Sequence, residues 1–304
     1  MEFSIKKIFH WKVISSVLML VLLVLVGRNV YKDYQHKQWI ANLESTASDN
    51  VTILPDTIIV DYIGEGEIGR KRSLAIYLPD NYNTNDSVHY PVIYFMDGDS
   101  QFDQKIQEGT EWQVDEVIDS ISALGGPSSI VVGVYNHPTD RLTEYKPFPS
   151  KQIRNETTVT GPQHAEWLAT DVKGWVDANY RTLPDPDNTT IGGCSLGGLM
   201  SWYMITHFPE VYGNALVFSP SLWVGDEVYT WQDKLEGWSN KKIYLCAGTI
   251  EAPVLEWAEK LHGLLLEKGM TGDNLRLDPI QDEGHWHMCW RKAFKKAYPW
   301  IVEN

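Results

Sequence analysis

From Pro91 onward, short apolar runs alternate with stretches of helical character, and this alternation restricts the fold more than any other property of the chain. The apolar runs are Val92–Met96, Ile130–Tyr135, Thr189–Gly192, Ala215–Ser219, Lys242–Ala247 and Asn274–Ile280. Between them stand Gln113–Leu124, Ala165–Tyr180, Leu199–Phe208 and Pro253–Lys268, and a last amphipathic helix is predicted from about Trp290. Strands separated by helices in this way form a parallel sheet with helices on both faces. Thr57–Ile63 and Ser73–Leu78, parted by the turn-like Gly64-Glu65-Gly66, add an opening antiparallel pair. The expectation is an α/β fold, a mostly parallel sheet of about eight strands that binds ligands at the strands' carboxyl ends.

Composition narrows the function classes. The chain has 304 residues, 43% hydrophobic and 22% charged, enough for one well-cored catalytic domain. A formal charge of -14 argues against a nucleic-acid partner, which needs a basic surface. Cys194, Cys246 and Cys289 are too few and too scattered for a disulfide framework or a zinc site. At the start, Lys6, Lys7 and Lys12 precede the uncharged run Val13–Val26, which reads as a membrane anchor or a signal segment. The expected organisation is therefore an N-terminal membrane anchor or signal segment over 1–27, a polar tether over 28–55 and a catalytic domain over 56–304, in an exported, membrane-anchored or periplasmic protein.

Gly193-Cys194-Ser195-Leu196-Gly197 falls between a strand and a helix, the context of a nucleophile elbow. A serine hydroxyl is a poor nucleophile at neutral pH, so it must sit on a sharp turn where a histidine can take its proton. His285 is the expected base: it follows the last strand in Asp282-Glu283-Gly284-His285, with His287 as its competitor. The third member must accept a hydrogen bond from the imidazole, and Glu251, just after the strand Lys242–Ala247, fits that order, with Asp226 and Asp282 as alternatives. Backbone N–H groups of Leu196 and Asp99 are the expected oxyanion donors, with Gly98 permitting close approach. Nothing in the spacing of His285 and His287 supplies a third metal ligand, so no metal and no cofactor is expected.

Taken together, several segments resemble the esterase family of α/β hydrolases that includes S-formylglutathione hydrolases, feruloyl esterases and enterochelin-type siderophore esterases. They are Tyr90–Gly98, Arg141 with Glu144-Tyr145, Asn179-Tyr180-Arg181-Thr182 leading to Gly193–Gly198, Ser219-Pro220-Ser221-Leu222-Trp223, Gly248-Thr249-Ile250-Glu251, and Gly284-His285 with Trp290. The resemblance implies the α/β-hydrolase fold, with Ser195, Glu251 and His285 as the triad and Asp99 and Leu196 at the oxyanion positions. Asp99-Ser100-Gln101 departs from the family where substrate contacts are made. Arg141 and Glu144 either line the substrate site or pair with each other as a clamp. Trp223 and Trp286 stand close to the site in sequence and could wall a sugar, a phenolic acid or an acyl chain.

The expected activity is a serine carboxylester hydrolase working through an acyl-enzyme on a small or medium ester, such as a siderophore, phenolic-sugar or acetyl ester. The rivals are an acyltransferase of the same fold and a membrane-tethered binding protein that kept the fold without catalysis.

Overall fold

The computed structural model describes residues 50–60, 70–102, 111–137, 140–153, 159–234 and 237–303, with scattered residues between 19 and 38. The chain divides into two compact units, Met1–Thr46 and Ala47–Asn304. Most of the expected anchor and tether lies outside the described residues, as does the turn at Gly64-Glu65-Gly66. Among the described residues no helix is long and apolar enough to cross a membrane.

The second unit is built on an eight-stranded sheet in the order β1-β2-β4-β3-β5-β6-β7-β8. The strands are β1 (Val51–Val60), β2 (Arg70–Tyr77), β3 (Val92–Met96), β4 (Ile130–Val134), β5 (Thr189–Cys194), β6 (Asn214–Phe218), β7 (Lys242–Gly248) and β8 (Leu275–Ile280). Two pairings are antiparallel, β1 with β2 and β2 with β4, and every pairing from β4 to β8 is parallel. All residues of β3, β4, β5 and β6 are buried, which is why those runs are continuously apolar or small rather than alternating.

One boundary differs from the sequence reading. β1 already pairs with β2 at Val51↔Tyr77, so residues 51–55, read as tether, are the first half of a strand. Pro55 and Asp56, with φ of 47°, break the register between Leu54 and Ile58, and this irregularity hides the strand's continuity in the sequence.

The helices are α1 (Val114–Ala123), the short α2 (Arg141–Glu144), α3 (Gly161–Trp167), α4 (Lys173–Asn179), α5 (Leu196–His207), α6 (Ala252–Glu267) and α7 (His287–Val302). A π-helical turn, Leu168–Val172, joins α3 to α4, so the stretch predicted as one helix is one helix with a widened middle. Helices α1 and α7 touch each other, and α3 touches α5, while α5 lies on β5 and β6, α6 on β7 and β8, and α7 on β6, β7 and β8. Among the tryptophans, Trp112, Trp167, Trp202, Trp231, Trp238 and Trp290 are buried in this core.

The strand order makes the site. The chain goes from β3 outward to β4, then crosses back over β3 to β5, so the connections leaving β3 and β5 diverge. An open α/β sheet binds its ligand in the crevice at that reversal, outside the carboxyl ends of the strands. The loop after β3 begins at Asp97 and the turn after β5 is Ser195.

Candidate active site

Ser195 is the residue between the last position of β5 and the first of α5, with φ of 58° and ψ of -120°. That backbone conformation is strained for a residue with a Cβ, and the strain lifts the side chain out of the strand-to-helix turn. Glycine is obligatory around it. A Cβ on Gly193 would come within 2.7 Å of the Gly197 backbone, and one on Gly198 within 2.6 Å of the Phe218 carbonyl oxygen. Ser195 is half-buried, and its N–H donates to the Phe218 carbonyl at 3.0 Å. Cys194 beside it is buried, and burial pushes its thiol well up, so it carries no reactive thiolate.

Two adjacent loops bring an acid and a histidine to the same edge. The loop leaving β7 passes so close to the loop leaving β8 that a Cβ on Gly248 would lie 2.0 Å from the Glu283 carbonyl oxygen. The loops are tied by Ile250 N–H to Glu283 O at 3.1 Å and by Asp282 N–H to Thr249 Oγ1 at 2.9 Å. There His285 Nδ1 meets Glu251 Oε2 at 2.7 Å. The other carboxylate oxygen, Oε1, accepts from Gly248 N–H at 2.6 Å and from the Ser219 hydroxyl at 2.6 Å. Burial alone would raise the Glu251 carboxyl, but the hydrogen bonds from His285, Gly248 and Ser219 outweigh it and hold the group below its ordinary value. An ionised, fully bonded Glu251 fixes the His285 ring with Nε2 left available. The Trp290 ring stands edge-on to His285 at 5.3 Å, and its Nε1–H donates to Ser219 Oγ at 3.1 Å.

The alternatives fall elsewhere. His287 opens α7 and receives a hydrogen bond from Trp112 Nε1 at 3.2 Å, and burial holds its imidazole below the ordinary value. Asp226 lines a side cavity, and Asp282 has its backbone N–H on Thr249.

At the end of β3, Asp97 has φ of 59° and is buried. Arg141 grips it with a two-pronged ion pair, Nε to Oδ1 at 2.5 Å and Nη2 to Oδ2 at 2.7 Å. Asp97 N–H donates to the Tyr145 hydroxyl at 3.2 Å, and Gly98 N–H to Val134 O at 2.9 Å. A Cβ on Gly98 would meet Gly133 at 2.6 Å, so Gly98 is there because the loop lies flat on β4. The clamp imagined between Arg141 and Glu144 does not form: Glu144 is buried against Arg72, and Arg141 is committed to Asp97. Asp97 and Gly98 are thus pinned, and Asp99 follows them at the surface. Among the described residues the N–H groups of Asp99 and Leu196 meet no backbone carbonyl, and that of Asp99 lies against its own carboxylate. Asp99 is exposed at one side yet crowded at its carboxyl; this desolvation, with Asp97 nearby, raises the group to about 6.

Sequence reasoning missed Ser219, Ser221 and Asp97. Ser219 supports Glu251, Asp97 anchors the Asp99 loop, and Ser221 Oγ lies 3.3 Å from Ser195 Oγ. In the sequence Asp97, within Tyr90–Gly98, and Ser219-Pro220-Ser221 drew notice only as parts of motifs, without a task of their own.

Of the two tryptophans expected at the site, Trp286 is 52% exposed and leans on Glu283. Trp223 is half-buried and lines a cavity of about 600 Å³ with Phe148, Tyr229, Trp257, Lys151 and Lys260. The cavity wall starts at Leu222, the residue after Ser221. A smaller cavity of about 340 Å³, lined by Tyr90, Pro91, Thr190 and Asn214, opens at the amino ends of the strands, away from Ser195.

The parallel sheet, the elbow after β5 and the acid and histidine after β7 and β8 define an α/β hydrolase. Residues 66–301 match the model of the family described as "Putative esterase", and the chain belongs to that family, which makes it a carboxylic ester hydrolase. A Bacillus subtilis (strain 168) protein, "Uncharacterized protein YbbA", is 26% identical over 251 residues, covering 79% of this chain and 95% of that protein. The "Iron(III) salmochelin esterase" of Escherichia coli O6:H1 is 23% identical over 241 residues, 74% of this chain and 53% of its own length. A solved ferulic acid esterase superposes with a TM-score of 0.64 at 15% identity, covering 83% of this chain and 98% of that one.

Proposed function

We propose that the chain hydrolyses a small or medium carboxylic ester through an acyl-enzyme on Ser195, with His285 as the base and Glu251 orienting it. The observation that carries this reading is the 2.7 Å contact of His285 Nδ1 with a buried, ionised Glu251, at the same sheet edge as the strained Ser195. With Nδ1 held on the carboxylate, the neutral ring turns Nε2 outward, where it can accept the Ser195 proton.

The Ser195 oxygen then bonds to the ester carbon, and the carbonyl electron pair moves onto its oxygen. Leu196 and Asp99 N–H groups bind that oxyanion, aided by the N-terminus of α5. His285 returns the proton to the departing alcohol. Water, deprotonated by the same ring, repeats the sequence on the acyl-enzyme and frees Ser195.

The substrate reading rests on the cavity beyond Ser221. Four half-buried aromatic faces bordered by Lys151 and Lys260 suit an ester bearing a ring that stacks on them, a flat phenolic ring or the apolar face of a sugar. The names of the two esterases compared above agree with this class of substrate. On the sequence alone, we also propose that residues 1–27 take the protein to a membrane or across it.

Ser195→Ala is expected to abolish hydrolysis of p-nitrophenyl acetate and labelling by a fluorophosphonate, and His285→Ala to do the same while His287→Ala keeps most activity. Undiminished turnover by Ser195→Ala would remove the mechanism. A panel of feruloyl, acetyl-sugar, siderophore and simple alkyl esters then ranks the substrates.

A further inference from the structure

Where the chain leaves β6 it runs through Ser219-Pro220-Ser221, and the two serine hydroxyls touch opposite ends of the proposed triad. Ser219, at φ of 40°, anchors the segment through its N–H to Cys246 O at 2.8 Å. Its hydroxyl accepts from Trp290 Nε1 and gives its single proton to Glu251. Pro220 stiffens the next step of the chain. Ser221 is buried, and its backbone N–H donates to the carbonyl oxygen of Ser195 at 2.9 Å. Its side chain is thereby aimed at the nucleophile, Oγ to Oγ at 3.3 Å. Among the described residues that contact is the one hydrogen bond of Ser221 Oγ.

We infer that Ser221 is a positioning residue for Ser195, donating its hydroxyl proton to Ser195 Oγ. This inference rests on the reading of Ser195 as the nucleophile. The direction follows from chemistry: Ser195 must offer its own proton to His285 Nε2 in order to react, so in the productive arrangement Ser221 is the donor. The hydrogen bond fixes the rotamer of the half-buried Ser195. It also stabilises negative charge on Ser195 Oγ at two moments. In acylation the O–H bond breaks, its proton passes to His285, and the new bond to the ester carbon forms. In deacylation Ser195 Oγ leaves with the electron pair of the acyl bond and recovers a proton from His285. Ser221 keeps its own proton throughout. Both half-reactions therefore gain, whereas a residue that binds only the acyl or the alcohol group changes one half-reaction or KM.

Burst kinetics with p-nitrophenyl acetate test this on the full chain. Ser221→Ala is expected to slow acylation and deacylation alike by about tenfold, the value of one hydrogen bond. KM should stay within about twofold, and the midpoint of the kcat/KM pH profile should not move, because His285 and Glu251 keep their contact. Fluorophosphonate labelling is expected to slow in proportion. Ser221→Cys, which preserves size and offers a weak donor, should fall between the two, and it serves as the probe if Ser221→Ala fails to fold. Wild-type burst and labelling rates in Ser221→Ala or in Ser221→Cys would overturn the inference, as would a loss confined to one half-reaction or accompanied by a shifted midpoint. A wild-type protein that shows neither burst nor label would overturn the nucleophile reading itself, a result distinct from all of these.

Discussion

Asp99 places a carboxyl beside the backbone N–H expected to bind the oxyanion, and this gives the residue scale its sharpest pH dependence. With the group raised to about 6 by desolvation and by Asp97, it is neutral below that pH and charged above it. Once charged, it opposes the negative charge developing on the ester oxygen and draws its own N–H, and Ser100 at 3.2 Å and the nearby Arg141 offset this only in part. Asp99→Asn is therefore expected to raise kcat/KM about twofold to tenfold at pH 8 and to leave it unchanged below pH 5, read by comparing the two proteins at each pH. Glu251 has the opposite sign. Its folded value lies below the ordinary one, so the stability it contributes is full above the ordinary carboxylate range and is lost as pH falls through the folded value. Glu251→Gln should flatten the acid side of the unfolding-temperature profile between pH 7 and 3. It should also lower kcat on the order of a hundredfold or more, since the glutamine no longer stabilises the imidazolium.

At the scale of elements, the site depends on loops that touch through glycine. The β7 and β8 loops meet at Gly248, where a Cβ would overlap Glu283 backbone rather than a flexible side-chain end. Gly248→Ala must push the loops apart, separating Glu251 from His285. The expected outcome is a lower unfolding temperature together with a loss of activity larger than the stability change explains, measured by thermal unfolding and p-nitrophenyl acetate turnover at a temperature where the variant is folded. The Asp97 turn is held differently, by charge: Arg141 closes a planar fork that lysine cannot reproduce. The same element logic explains Pro55-Asp56 in β1, where a local irregularity was tolerated because the strand is at the sheet's edge.

For the whole molecule, the proposed triad, its supports and the aromatic cavity all lie within Ala47–Asn304. A protein lacking the first 46 residues is expected to keep the unfolding temperature and kcat/KM toward a soluble ester, and to lose membrane association if the proposed role of residues 1–27 holds; fractionation and steady-state kinetics check both. A truncated protein that fails to fold would show that the N-terminal unit supports the catalytic one.

The sheet and its helices were legible in the sequence because hydrophobic period leaves a local mark, and the proposed roles of Ser195, Glu251 and His285 rest on marks of the same kind: a glycine-flanked serine, an acid or histidine just after a strand. Those marks are set by backbone sterics and burial, which act over a few neighbouring residues. What the tertiary structure alone decided is which side chains meet across the crevice. Arg141 could have paired with Glu144 within its own helix, yet it reaches Asp97, 44 residues back in the chain. Ser219 and Ser221 looked like loop residues until β6 set one against Glu251 and the other against Ser195. Hydrogen bonds and ion pairs of that kind depend on ångström distances between segments far apart in the chain, and the order of the strands in the sheet, which no short stretch of sequence encodes, sets those distances.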